Sequence, residues 1–373
     1  MKVLMISTDA RITDTSSKEF LRMKEYASVL EELHIIVCTT KTEVEEMQEG
    51  NLFVYPTLSR NKLFYGINSF FLAKKLKSNT LSLVSAQDPF ETGLIALFIS
   101  QYLNVPLEVQ IHTDFLSPYF LHSFKNYIRV FLARVTLPRA EGVRVVSERL
   151  AREVKKWIFL KSEPVVLPLV PEEMSSVDEL AALYLKRKYP QFGEIVLMLS
   201  RLEFEKDVTL AITAFRNATA EARGVGLIIV GEGSEEVKLK TLVVRLKLED
   251  RVFFEKWQQD PIPYFMSADV FLNTSLYEGY GRTLIEAALV GCPIVTTEVG
   301  VVGNELSLRS VLVSEPKNLL ALTKNLAYAL SHKKELKEIA VLQSEKIKEE
   351  VRHFKERRLA LFKEAWERSL KVV

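Results

Sequence analysis

Between Ala268 and Val295 the chain passes through an apolar stretch (Ala268-Asp269-Val270-Phe271-Leu272-Asn273), a turn with two glycines (Glu278-Gly279-Tyr280-Gly281) and an Ala-rich segment (Thr283 to Leu289). It then re-enters an apolar stretch at Gly291-Cys292-Pro293-Ile294-Val295. Strand, glycine loop, helix and strand in that order form an α/β unit, which commits the chain to a sheet covered by helices. Gly291 and Pro293 fall just past the helix, where they stop it. Glu278 is then in the loop and Glu286 about one turn inside the helix. Gly279 and Gly281 can take backbone angles closed to other residues and let a ligand approach the main chain. Unpaired N–H groups at a helix start favour a phosphate. Carboxylates accept hydrogen bonds from hydroxyls, so two of them beside a phosphate site suit a ligand with a diol on either side of a diphosphate. A sugar nucleotide meets that description.

The Glu-x7-Glu spacing says little alone, because two exposed glutamates at that distance occur by chance in helical proteins. The strand ends around it add weight. Ile195 to Ser200 reads as a buried strand, and its exit loop Arg201-Leu202-Glu203-Phe204-Glu205-Lys206-Asp207 carries two cations able to converge on one anion. A solvated charged turn is the bland alternative. Leu227 to Val230 ends in Gly231-Glu232-Gly233-Ser234, read equally well as a pocket lining or a strand-to-helix turn. In the first half, Lys2 to Ser7 is a short buried strand. The loop Thr8 to Ser17 has no glycine, which argues against a dinucleotide fingerprint; it offers hydroxyls to a ligand or caps a helix beginning near Ser16. Leu81 to Ala86 precedes Gln87-Asp88-Pro89, and Leu107 to Ile111 precedes His112-Thr113-Asp114. Ligands of open parallel sheets sit beyond the carboxyl ends of strands, where these loops are expected. Asp88 and Asp114 read as well as local turn residues.

From Ile195 to Gly303, and more faintly in the first half, the chain resembles the retaining glycosyltransferases of the GT-B fold, family 4. The resemblance implies an α/β chain of two Rossmann-like domains whose parallel sheets face each other across a cleft. Residues 1–170, rejoined by a C-terminal helix at about 351–373, would form the acceptor domain, and 177–350 the nucleotide-sugar donor domain. It implies that His112 lies next to the transferred sugar, that Arg201 and Lys206 hold the donor diphosphate, that Glu278 meets the transferred sugar and that Glu286 binds the ribose. Gly231, Glu232, Trp257, Gly279, Tyr280, Gly281, Arg282, Thr283 and Leu284 complete the implied donor site. Asp88, Thr113 and Asp114 are the acceptor-side candidates. Three places depart from the family pattern: Asp207 stands where Gly or Asn is usual, Lys256 where many relatives have Gly, and the loop after the first strand lacks its glycine. Asp207 either weakens diphosphate binding or caps the next helix, and Trp257 either stacks on a base or belongs to the core, the core being favoured.

With 373 residues, 48% of them hydrophobic, the chain is long enough for two domains with ample cores. A net charge of +2 gives no support to nucleic-acid binding. Cys38 and Cys292 are far apart in apolar contexts and read as reduced thiols of a cytoplasmic protein. No Asp-x-Asp and no His or Cys cluster is present, so no metal cofactor is expected and the protein itself must supply positive charge to a diphosphate. The first strand is too short and too soon followed by charges for a signal peptide. Arg60 to Lys77 carries five cations and no carboxylate among aromatic residues, and Tyr119 to Arg139 repeats the theme. These segments fit an anionic membrane surface on the inner face of the cell membrane, or core-facing helices with solvated basic backs, the second being favoured. The functional expectation is transfer of a sugar to a hydroxyl of a glycan or lipid-linked acceptor. A nucleotide-sugar epimerase and a non-catalytic sugar-nucleotide binder are the alternatives.

Overall fold

The structure, a computed structural model, describes residues 1–41, 43–76, 81–171 and 181–372. Lys77, the last cation of the first basic run, and Val177, the expected start of the second domain, lie outside the described residues. The chain divides into two units, Met1–Pro168 with Glu356–Val373, and Leu169–Lys355.

The first unit contains β1 (Lys2–Ser7), β2 (Glu32–Val37), β3 (Met47–Glu49), β4 (Leu52–Pro56), β5 (Leu83–Ala86), β6 (Leu107–Ile111), β7 (Gly142–Val145) and β8 (Val165–Val166). They form a sheet in the order β3-β4-β2-β1-β5-β6-β7-β8, parallel except for β3 against β4. Runs such as Val3 to Ile6 are fully buried, as strands covered on both faces must be. β8 is an edge strand of two residues, too short to show a period in the sequence and set between Pro164 and Pro168.

The second unit contains β9 (Glu194–Leu199), β10 (Val225–Val230), β11 (Val252–Glu255), β12 (Val270–Asn273), β13 (Ile294–Thr297) and β14 (Val311–Ser314). All pair in parallel in the order β11-β10-β9-β12-β13-β14, the doubly wound order in which the chain returns to the middle after its third strand. Leu227, Ile229, Phe215 and Leu322 sit in its core, completely buried. The turn of direction falls between β9 and β12. In such sheets ligands sit at that point, beyond the carboxyl ends of the strands.

The last helix, Lys333–Leu370, begins well before residue 351, about where the C-terminal helix is expected to start. Its start is fixed to the second unit, where Lys337 Nζ donates to the Gly291 carbonyl at 2.8 Å. Its end belongs to the first: Trp366 is fully buried, Phe362 stacks on Tyr26 at 4.2 Å, and Arg358 pairs with Glu25.

One expectation is overturned on the surface of the first unit. The helix Phe124–Thr136 does not turn its aromatic residues to the core: Phe124 is 80% exposed and Phe131 63%, with Tyr127 and Ile128 beside them. The face it buries carries Asn126, Ala133 and Thr136, small groups that allow close approach to the helix Glu91–Leu103. Arg129 bonds Glu91 of that helix at 3.1 Å.

Candidate active site

In the second unit the loops leaving β9 and β12 are tied to each other. The Thr274 hydroxyl donates to the Lys206 carbonyl at 2.8 Å, and the Leu276 N–H donates to the Glu205 carbonyl at 2.7 Å. This places the Lys206 ammonium on the Glu278 carboxylate, which also accepts from Ser275 Oγ at 2.8 Å. Both side chains are largely covered, at 12% and 16% exposure. Arg201 is open to solvent and held by Glu205 across one turn at 2.6 Å. Asp207 caps nothing with its side chain. Its φ of +43° is the left-handed region, which explains why a residue tolerant of that region stands there. Its carboxylate lies 3.1 Å from Lys317 Nζ, so the extra charge at this position is met locally.

The helix after β12 spans Arg282–Leu289 and begins at Gly281, whose φ is +90°. The first helical N–H groups, of Arg282 and Thr283, have no carbonyl a turn behind them. Leu284 is different: its N–H donates to the Gly281 carbonyl at 3.0 Å and its side chain is fully buried, so this residue offers a ligand neither. Tyr280 is likewise core, with burial and then Glu305 and Glu350 raising its phenol, while its carbonyl accepts from the Val301 N–H at 2.8 Å. Glu286 is 6% exposed and takes the Arg282 Nε–H at 2.8 Å. Gly300 went unnoticed in the sequence. At φ +54°, its missing Cβ would lie 2.1 Å from the Tyr280 carbonyl oxygen, so this glycine lets the Glu278 loop pack down.

The glycines after β10 serve the loop after β9. A Cβ on Gly231 would meet the Ser200 carbonyl oxygen at 1.9 Å, and one on Gly233 the Leu202 carbonyl oxygen at 2.4 Å. Glu203 fastens the same junction, accepting from the Ser234 N–H and hydroxyl at 2.9 and 2.7 Å, and these bonds lower its pKa. Glu232 is exposed. Trp257 is 52% exposed and therefore not a core residue, because the strand that leads to it ends at Glu255.

In the first unit, His112 follows β6, open to solvent at its edge, with Nε2 at 3.1 Å from Gln110 Oε1. Desolvation by the surrounding protein groups, and then the Arg144 and Arg22 charges, lower its pKa. Asp88 accepts from the Phe90 and Thr92 N–H groups at the start of the helix Glu91–Leu103. Asp114 accepts from Leu116 and Ser117, closing its own turn, while the Thr113 carbonyl accepts from Phe115. Burial raises both Asp pKa values. In the glycine-free loop, Ser17 Oγ accepts from the Phe20 N–H and caps the helix Lys18–Ala27. Gln87 was not singled out, yet it bridges the ends of β1 and β5 by accepting from Ser7 Oγ at 2.5 Å.

Arg201, Lys206, Glu278, Glu286 and the start of the helix at Arg282 are thus all on loops or helix turns that follow β9 and β12. His112, Asp88, Thr113 and Asp114 follow β5 and β6 of the other unit.

Residues 186–346 match the family described as Glycosyl transferases group 1, and residues 23–168 that described as Glycosyltransferase Family 4. The alpha-monoglucosyldiacylglycerol synthase of Streptococcus pneumoniae is 26% identical over 233 residues, 59% of this chain and 52% of that protein. The 2-deoxystreptamine glucosyltransferase of Streptomyces kanamyceticus is 27% identical over 214 residues, 54% of this chain and 55% of that protein. The chain therefore spans about half the length of these curated relatives. Among solved structures, sucrose-phosphate synthase from Thermosynechococcus elongatus superimposes with a TM-score of 0.76 at 16% identity, covering 93% of this chain and 94% of that one. Anabaena Alr3699/HepE in complex with UDP and glucose gives 0.71 at 18% identity, covering 94% and 95%.

Proposed function

Because this chain belongs to the group 1, family 4 glycosyltransferases of the GT-B fold, we propose that it moves a sugar from a nucleoside diphosphate sugar to a hydroxyl of a glycan or lipid-linked acceptor, retaining the anomeric configuration. The observation that carries this reading is the Lys206–Glu278 pair joined by Ser275, at the switch point of the second sheet beside Arg201 and a helix start. Those elements answer the parts of the donor. The Lys206 ammonium has three N–H donors and its bond to Glu278 uses one, leaving donors that meet a diphosphate. Arg201 and the first N–H groups after Gly281 add positive charge where the leaving diphosphate gains negative charge as the anomeric bond breaks. Glu278 takes hydroxyls of the transferred sugar and Glu286 those of the ribose. The departing phosphate oxygen then accepts the proton of the attacking hydroxyl. The HepE structure, with UDP and glucose in the same fold, supports a nucleoside diphosphate sugar as the donor class.

The reading includes an anionic membrane surface as the place of work. Its support is the outward face of three helices in the first unit, Tyr65–Lys75, Glu91–Leu103 and Phe124–Thr136, which expose Ile67, Phe71, Phe98, Phe124, Tyr127 and Phe131. Lys74, Lys75, Lys125 and Arg134 are exposed on them, while Glu91 is engaged by Arg129 at 3.1 Å and approached by Lys125 at 4.0 Å. No described helix is long and apolar enough to cross a membrane.

Titration calorimetry tests the donor assignment. Glu286→Ala is expected to weaken both the nucleoside diphosphate and the sugar nucleotide by roughly tenfold or more, since a hydrogen bond to a charged group is worth about 1.5–3 kcal/mol. Glu278→Ala is expected to spare the nucleoside diphosphate. Equal weakening by both would refute the division of labour.

A further inference from the structure

Glu108 and Gln110 lie on β6 and His112 directly follows it, so the two-residue period of a strand sends all three side chains to one face of the sheet. Ser85 of β5 stands in register with Glu108. The four side chains form an unbroken chain: Ser85 Oγ to Glu108 Oε2 at 2.6 Å, Gln110 Nε2 to Ser85 Oγ at 2.9 Å, and His112 Nε2 to Gln110 Oε1 at 3.1 Å.

The direction of every bond follows from its buried end. Glu108 is 1% exposed, with Arg144 Nε 3.4 Å from its Oε1 and the Trp366 indole N–H donating to its Oε2 at 3.1 Å. Arg144 is itself buried, its guanidinium over the Phe362 ring at 4.4 Å. A carboxylate beside a guanidinium, receiving donors, only accepts. The Ser85 hydroxyl therefore gives its single proton to Glu108 and can only accept from Gln110. Gln110 must then turn its NH2 toward Ser85 and its carbonyl oxygen toward His112. An amide oxygen has no proton to give, so the proton between Gln110 and His112 belongs to the imidazole Nε2. A neutral imidazole carries one proton, which leaves Nδ1 as an acceptor.

We propose that Glu108, Ser85 and Gln110 are positioning residues that lock His112 in the Nε2–H tautomer and present Nδ1 as the acceptor for a hydroxyl of the sugar substrate. This rests on the reading that His112 borders the transferred sugar. The groups facing the chain agree with a neutral ring: Arg144 and Arg22 are the charges acting on His112, and both oppose a proton on it. Trp366 extends the chain of contacts to the last helix, so a residue near the end of the sequence helps to orient a side chain at the end of β6.

Long-range 1H–15N spectra of the intact protein read the tautomer directly, with His112→Ala assigning the signal among the five histidines. The wild type is expected in the Nε2–H form. Ser85→Ala, which frees the Gln110 amide to rotate, and Gln110→Met, which removes the acceptor, are each expected to give a tautomer mixture. Both should lower kcat by about tenfold, with KM for the donor nearly unchanged, as befits a contact worth one hydrogen bond. Thermal melts identify a variant that fails to fold, and the other variant then decides. An Nδ1–H wild type, or an unchanged tautomer in the folded variants, overturns the relay. A shifted tautomer with wild-type kinetics in the variants and in His112→Ala overturns instead the placement of His112 at the sugar.

Discussion

At the scale of single residues, Arg201 and Lys206 look alike in the sequence and differ in the structure. Arg201 is 67% exposed and its bond to Glu205 is a surface pair, worth little to stability. Lys206 and Glu278 are mostly covered, and removing one leaves the other charge poorly solvated with Ser275 as its remaining support. Arg201→Ala and Lys206→Ala are both expected to lower turnover on the order of 10²-fold, because each removes preorganised charge from the leaving group. Their melting curves should diverge. Arg201→Ala should melt like the wild type, whereas Lys206→Ala should lose about 1–3 kcal/mol. Rates and melts of the two variants check this, and near-normal turnover in either would refute its role. The residue types here were legible from the strand-end pattern. That Lys206, rather than Arg201, takes Glu278 was not, since 72 residues separate the pair and the loops after β9 and β12 bring it together.

At the scale of elements, the helix Phe124–Thr136 carries its apolar residues at positions 124, 127, 128 and 131, one stripe of a helix. Spacing reveals the stripe but not which way it faces. The neighbouring helix decides, because the face turned to it carries Ala133 and Thr136, both buried, and leaves Phe124 and Phe131 exposed. Phe124→Ser with Phe131→Ser, and separately Lys125→Glu with Arg134→Glu, should each reduce sedimentation with vesicles of anionic phospholipid. A cation near such a surface contributes about 1 kcal/mol, so the charge reversals should weaken binding by more than tenfold at low salt. Melting temperatures should stay near the wild-type value, as these side chains are exposed. Equal sedimentation of wild type and variants, or none by the wild type, would remove the membrane from the functional reading.

At the scale of the whole molecule, the proposed reading has Arg201, Lys206 and the helix start at Arg282 supply the positive charge that a diphosphate needs. Activity is therefore expected to survive EDTA. Complete loss, restored by magnesium or manganese, would show that a divalent cation carries the diphosphate instead. Much of the architecture was legible because parallel strands write themselves as short apolar runs ending in polar loops: Ile195 to Ser200, Leu227 to Val230 and Leu107 to Ile111 are β9, β10 and β6 to within a residue or two. The same local chemistry exposed the glycine turn at Gly281 and a helix start near Ser16, whose cap is Ser17. Partners across the sheet left no such trace. Gly300 beneath Tyr280, Lys317 beside Asp207 and Trp366 on Glu108 come from segments 20, 110 and 258 residues away, and each is fixed by packing. The sequence alone determined which residues end strands and start helices, since these depend on neighbours within a turn or two. Which charges meet, which ring faces water and which imidazole nitrogen holds the proton were decided by the tertiary structure, because burial and hydrogen-bond polarity depend on groups brought together from distant parts of the chain.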